Sequence, residues 1–148
     1  MCLKLKEGNT KLIVADKDIV CYKILLQYPD GTYHSPYQRL PYELNKLMCD
    51  SVNVWKYRSD KTWNVGAGGF HTFAKFDEVK KAFDENFSDG LYPGFNPVIV
   101  KCFIPKGTKF YYGSFSFLFC AEKYESYASK KLMVTDEVIK RQKNTLAR

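Results

Sequence analysis

The sequence predicts an α+β fold, a single compact domain over residues 1–148, mostly antiparallel or mixed β-sheet. It adds one amphipathic helix near 75–87 and a short C-terminal helix. Two observations predict this fold: apolar runs separated by Pro and Gly turns, and one segment with helical periodicity. A chain of 148 residues fits one domain, and such a domain buries roughly 68–70% of its unfolded surface.

The first strand-like run, DIVCYKILLQY at 18–28, is long and apolar enough to be a central strand. The PDGT sequence at 29–32 predicts a turn, because Pro fixes φ and Gly accepts a positive φ. A short return strand is expected over 32–35. Residues 42–48 (YELNKLM) predict a short helix, and a loose hairpin is expected around 59–61.

The clearest helix follows a short strand expected over 70–73 (FHTF). Apolar residues recur there at three- and four-residue steps, with charged residues on the other face. The apolar positions are Phe76, Val79, Ala82, Phe83 and Phe87.

The segment PVIVKCFIPKGTKFYYG at 97–113 predicts two strands, paired with each other through a tight turn at Pro105-Lys106-Gly107. An aromatic run follows at 115–120, and another strand ends at Val134. Thr135 before two acidic residues is typical of a helix N-cap, which predicts the short terminal helix.

The formal charge is +7, carried by 19 Lys and only 4 Arg. Six basic and two acidic residues lie between Lys130 and Arg148, so this segment alone carries +4. A basic nucleic-acid-binding module acting through the C-terminus is therefore one alternative. The scarcity of Arg weighs against it, because Arg suits bidentate recognition of phosphate and guanine.

The five cysteines are widely spaced, without the CxxC spacing of metal or disulfide frameworks. No metal site or cofactor is expected. The N-terminus lacks the apolar stretch of a signal peptide, and no apolar run is long enough to span a membrane. We therefore expect a cytoplasmic protein with no membrane partner.

Candidate binding residues lie in three polar, aromatic segments. The SPYQR loop offers Tyr37 and Arg39, and an Arg beside Tyr suits an anionic group. The Gly-rich segment 66–69 predicts a flexible turn, because a strand-like FHTF follows it where a phosphate loop would need a helix. Ligand-binding residues are predicted at Tyr37, Arg39, Trp63, His71, Tyr124 and Tyr127. We expect Tyr37, Arg39 and His71 to share one pocket, and no catalytic set is predicted.

The motifs DIVCYKIL, SPYQ, GFHTF, VIVKCFIPKGTKFYYG and SYASKKLMV, in this order, resemble a group of small uncharacterised proteins. These proteins occur in gut bacteria and in their phages and mobile elements. The resemblance covers nearly the whole chain. It supplies no activity, but it implies an accessory protein of host interaction or counter-defence.

A weaker resemblance is to the ADP-ribosyltransferase fold, through the order of VCYKIL, GGFHTF with its helix, VIVKCFIPKG and YESYASKKLMV. It implies an enzyme in which Tyr22, His71 and an acid, Glu122 or Glu125, converge in one cleft. Lys23 stands where that family has His or Arg.

We therefore expect a non-catalytic binding protein that recognises a nucleotide-like small molecule or a host protein. The ADP-ribosyltransferase-like enzyme and the nucleic-acid-binding module remain the alternatives.

Overall fold

The computed structural model describes residues 3–5, 8, 10–37, 39–50, 54–59, 62–66, 68–87, 92–115 and 123–141. Its elements within these ranges are strands and one helix. In chain order they are β1 (Leu3–Leu5), β2 (Ile13–Val14), β3 (Ile19–Gln27), β4 (Tyr33–His34), β5 (Pro41–Tyr42), β6 (Lys46–Cys49), β7 (Lys56–Ser59), β8 (Thr62–Val65), β9 (Phe70–Phe73), α1 (Phe76–Asn86), β10 (Asn96–Ile104), β11 (Lys109–Phe115), β12 (Tyr124–Ser129) and β13 (Lys131–Arg141).

The strands form one sheet in the order β6-β13-β10-β3-β9-β12-β11-β1-β8-β7, with β2, β4 and β5 attached beside it. Every pairing among the described strands is antiparallel. This confirms a mostly antiparallel sheet with one helix.

Strands β3 and β10 form the centre of one half of the sheet. They pair over nine residues, from Asn96 opposite Gln27 to Ile104 opposite Ile19. Alternate side chains of both strands point to the inner face, where Cys21, Leu25, Val100 and others form the main core. The apolar runs read from the sequence are therefore central strands.

The predicted pairing between β10 and β11 is wrong, although both strands and the turn between them are present. Strand β10 pairs with β3 and β13, whereas β11 pairs with β12, β1 and β2. The turn between the two strands contacts the segment before β3, where the Gly107 N–H donates to the Ala15 carbonyl. Although β10 and β11 are not paired, Val100 of β10 and Phe110 of β11 belong to the same hydrophobic core.

Helix α1 confirms the predicted amphipathic helix near 75–87. It begins after Lys75, has two acidic residues in its first turn, and buries Val79, Ala82 and Phe83. These side chains pack against Ile24 and other residues on the outer face of the sheet. The helix therefore covers only part of that face.

Two predicted helices are absent from the described residues. Thr135 lies inside strand β13, where its hydroxyl donates to the Lys101 carbonyl at 2.7 Å. Residues 42–48 form the end of β5, a turn, and most of β6. In both segments cross-strand pairing with an apolar neighbour outweighs local helix propensity.

Three local predictions are confirmed: the strand over 70–73, the return strand at 33–34, and the antiparallel pairing of β7 with β8. Residues 60 and 61, between those two strands, lie outside the described residues. Most of the aromatic run at 115–120 and the chain after Arg141 lie outside the described residues.

Candidate functional site

The SPYQR sequence lies in the connection between β4 and β5, where Ser35 and Leu40 are hydrogen-bonded to each other and Gln38 lies outside the described residues. The Ser35 hydroxyl accepts the Leu40 N–H at 3.0 Å, and the Ser35 N–H donates to the Leu40 carbonyl at 2.9 Å. Arg39 adopts φ 56°, a left-handed conformation that costs energy for a side chain other than glycine. The loop is thus closed at its base and presents Tyr37 and Arg39 outward.

The Arg39 guanidinium contacts two aromatic side chains, Phe95 and Tyr28. Its centre lies 5.3 Å from the centroid of the Phe95 ring, and Nη1 lies 3.3 Å from the Tyr28 hydroxyl. Tyr28 in turn stacks on His34, with centroids 3.8 Å apart, and packs against Phe95 at 4.5 Å. We call Tyr28, His34, Tyr37, Arg39, Tyr92 and Phe95 the Arg39 cluster.

Tyr37 and Tyr92 complete this cluster. Tyr37 is 52% exposed. Partial burial and the neighbouring Tyr92 raise the pKa of Tyr37 to about 12. Burial also raises the pKa of Tyr92, and the positive charge of Arg39 opposes that rise. Both phenols are therefore neutral at physiological pH, and Arg39 supplies the positive charge of the site.

The chemistry of the Arg39 cluster is that of a stacking surface beside an anion-binding group. Among the described residues no carboxylate forms a salt bridge with Arg39. Guanidinium groups bind phosphate and carboxylate through paired N–H donors, and exposed tyrosines stack on planar rings. The geometry therefore suits a flat ligand that carries a negative charge.

His71 lies in a different environment. Its Nε2 is 3.1 Å from the Gly66 carbonyl oxygen and 3.3 Å from that of Gly68. Burial and the nearby charge of Lys23 lower the pKa of His71 to about 4, so the ring is neutral at pH 7. The neutral ring bonds the backbone carbonyls of Gly66 and Gly68, and its neighbours are not those of Arg39.

The other three predicted site residues are dispersed. Tyr124 is 2% exposed and lies 5.8 Å from the rings of both Phe73 and Phe115, as a core residue. Trp63 lies on β8, and the Lys56 Nζ lies 5.0 Å from the centroid of the Trp63 ring. Tyr127 packs beside Tyr112 on the inner face. Of the six residues, the structure groups Tyr37 with Arg39.

The residues expected to converge in an enzyme cleft lie on two faces. Tyr22 pairs with Phe73, and His71 is two residues from Phe73, so both point to the outer face. His71 pairs with Ala128, three residues from Glu125, which places Glu125 on the inner face. There Glu125 forms a salt bridge with Lys75 at 3.3 Å. Glu122 lies outside the described residues.

Sequence reasoning missed four of the six residues of the Arg39 cluster, namely Tyr28, His34, Tyr92 and Phe95. Tyr28 lies eleven residues before Arg39, and Tyr92 and Phe95 come from the YPGF segment after the helix. The only local signal was an aromatic residue on each side of a Pro-Gly turn, which is also typical of ordinary loops. Of the basic C-terminal residues of the nucleic-acid alternative, Lys143 and Arg148 lie outside the described residues.

No protein-family model, curated protein or solved structure matches this chain. Within the described ranges, no helix is long and apolar enough to cross a membrane. The same residues contain no group of three or more His, Cys, Asp and Glu side chains able to hold a metal ion.

Proposed function

We propose that this protein is a non-catalytic binding protein whose Arg39 cluster recognises a nucleotide-like ligand, a planar ring bearing an anionic group. The observation that carries the proposal is the placement of the Arg39 guanidinium over Phe95 and beside Tyr28, next to the exposed ring of Tyr37. A phosphate would bind the guanidinium, and the base would stack on Tyr37.

The hydrogen bonds at the base of the loop support this proposal. Ser35 bonds Leu40 through both its backbone and its hydroxyl, which restricts the backbone that carries Tyr37 and Arg39. A preorganised site loses less conformational entropy on binding, which increases affinity. The left-handed backbone at Arg39 is the kind of strain that clusters at functional sites.

The biological setting is part of the same proposal. The resemblance to small proteins of gut bacteria and their phages implies an accessory role in host interaction or counter-defence. A protein that sequesters or senses a nucleotide-like signal would suit that role. A host protein presenting an anionic, aromatic segment is the alternative occupant of the Arg39 cluster.

The test is a panel of mono-, di- and cyclic nucleotides, screened by thermal shift and followed by calorimetric titration. We expect at least one nucleotide to bind. Arg39→Gln should weaken that binding by about 10- to 100-fold, because a charge-assisted hydrogen bond contributes about 1.5–3 kcal/mol. Tyr37→Ala should weaken it through loss of about 1–3 kcal/mol of stacking.

The matched control is Arg58→Gln, which removes an exposed arginine on the distant strand β7. It should leave affinity unchanged. A flat response of the wild-type protein to the whole panel would contradict the nucleotide-like ligand and favour a protein partner. Equal losses in the Arg39 and Arg58 variants would show that net charge, and not the Arg39 cluster, attracts the ligand.

A further inference from the structure

Three polar side chains share the inner face of the sheet where β3, β9 and β12 are neighbours. Lys23 is two residues from Cys21 on β3, and Thr72 is two residues from Phe70 on β9. Ser129 on β12 is directly opposite Phe70. Cys21 and Phe70 belong to the main core, and residues two apart or directly paired point to the same face. We call Lys23, Thr72 and Ser129 the Lys23 site.

The Lys23 ammonium lies beside Thr72. Its Nζ donates to the carbonyl oxygen of His71 at 2.7 Å, and that carbonyl belongs to the peptide bond that leads into Thr72. The antiparallel register of β3 with β9 also places Lys23 level with Thr72. Ser129 is the diagonal neighbour of Thr72, because Tyr127 is directly opposite Thr72. The three polar side chains of the Lys23 site are therefore neighbours.

The hydroxyls of the Lys23 site are buried and unpaired. Thr72 is 1% exposed and Ser129 is 0% exposed, and neither hydroxyl has a hydrogen-bond partner within the described ranges. Buried polar atoms are nearly always hydrogen-bonded, and an exception in a folded protein points to a bound ion, water or other polar group. Two such exceptions on one face, next to an ammonium, indicate a place where a polar ligand binds.

The charge of Lys23 indicates the sign of that ligand. The ammonium is half-buried, and its neighbours are the His71 carbonyl and the Tyr42 ring, whose centroid lies 5.1 Å from Nζ. No acidic side chain in the described part of the chain forms an ion pair with Lys23. Glu125, on the same inner face, is paired with Lys75 at 3.3 Å. Because burying a charge is costly unless an opposite charge accompanies it, an anion suits this position.

We propose that the Lys23 site binds the carboxylate of a small apolar acid. Lys23 has two further N–H donors besides the one on the His71 carbonyl, and the two hydroxyls add one donor each. A single positive charge matches a monoanion. The rest of the ligand is apolar, because the surrounding side chains, such as Phe70 and Val100, belong to the main core.

An NMR titration of the full chain with hexanoate tests the proposal. We expect saturable shifts of the Lys23, Thr72 and Ser129 amides, with a dissociation constant on the order of 1 mM for a ligand of about eight non-hydrogen atoms. Hexanamide has the same shape without the charge and should bind about tenfold more weakly. Acetate keeps the charge without the apolar chain and should also bind about tenfold more weakly.

The hydroxyl of Thr72 supplies the sharpest variants. Thr72→Val should weaken hexanoate binding about 3- to 10-fold, whereas Thr72→Ser keeps the hydroxyl and should bind like the wild type. Lys23→Met should abolish binding, and thermal melting verifies that each variant is folded. The matched control is Thr135→Val, whose hydroxyl bonds the Lys101 carbonyl away from the Lys23 site. It should leave the affinity unchanged.

Three results would each overturn the proposal. The first is the absence of saturable shifts at the Lys23 site. The second is equal affinity of Thr72→Val and Thr135→Val for hexanoate. The third is equal affinity for acetate and hexanoate, which would show attraction to the net charge of +7 alone. Arg39→Gln should leave the hexanoate shifts unchanged, so failure of the Lys23 site and failure of the Arg39 cluster are distinguishable.

Discussion

The Lys23 ammonium donates a hydrogen bond to the backbone carbonyl of His71, with 2.7 Å between Nζ and the oxygen. The contact lies at the junction between strands β3 and β9, which joins the two halves of the sheet. Strands β3 and β9 share only the register pair Tyr22 and Phe73. One residue after Tyr22, Lys23 adds the side-chain hydrogen bond to β9 described above. The His71 side chain in turn contacts the carbonyls of Gly66 and Gly68.

Replacing Lys23 should weaken this junction. Lys23→Met keeps the apolar stem but leaves the His71 carbonyl without its charged donor. We expect the free energy of unfolding to fall by about 1.5–3 kcal/mol, the usual contribution of a hydrogen bond to a charged group. Urea denaturation measures the change.

The control for Lys23 is Lys101→Met, which removes an exposed ion pair with Glu137. Exposed pairs contribute about 1 kcal/mol or less. A Lys23 variant no less stable than the Lys101 variant would contradict the role of Lys23 at the junction.

His71 should make stability depend on pH. Its folded-state pKa of about 4 lies below the ordinary value of 6.5. The stabilisation from the neutral ring is therefore fully present above pH 6.5 and is lost as the pH falls toward 4, by about 3 kcal/mol at most. Chemical denaturation at pH 7, 5.5 and 4 measures this loss.

The wild type and His71→Gln share all other titrating groups, so their difference isolates His71. The variant should be less stable at pH 7 and should lose less stability on acidification. Parallel pH profiles for the two proteins would rule out the assigned role. An NMR titration of the His71 ring gives an independent value of its pKa.

Thr72 should tolerate loss of its hydroxyl. The side chain is 1% exposed, and its Oγ1 has no hydrogen-bond partner within the described part of the chain. Thr72→Val keeps the shape and removes an unpaired polar atom, so we expect the free energy of unfolding to rise by about 1–2 kcal/mol. Urea denaturation measures it.

The matched comparison is Thr135→Val, which removes a hydroxyl bonded to the Lys101 carbonyl. That variant should lose about 1 kcal/mol. If both valine variants change stability in the same direction, the distinction between a bonded and an unbonded hydroxyl does not hold here.

The sequence by itself determined the elements whose driving force is local. The long apolar runs became β3 and β10, the apolar positions of Phe76 to Phe87 became α1, and the Pro-Gly turns are present. Each depends on residues within a few positions of one another, so periodicity and turn chemistry suffice to predict it. Local propensity failed at Thr135 and at residues 42–48, where pairing with a neighbouring strand decided the conformation.

Only the tertiary structure decided which strands pair and which side chains meet. The turn after β10 leads to the other half of a curled sheet, a result that depends on distant contacts such as Gly107 with Ala15. Arg39 meets Tyr28 and Phe95 because three separate segments converge there. His71 does not join Arg39, because its side chain contacts the Gly66 carbonyl. Burial and hydrogen bonding between residues distant in sequence determine these placements, so local sequence patterns do not predict them.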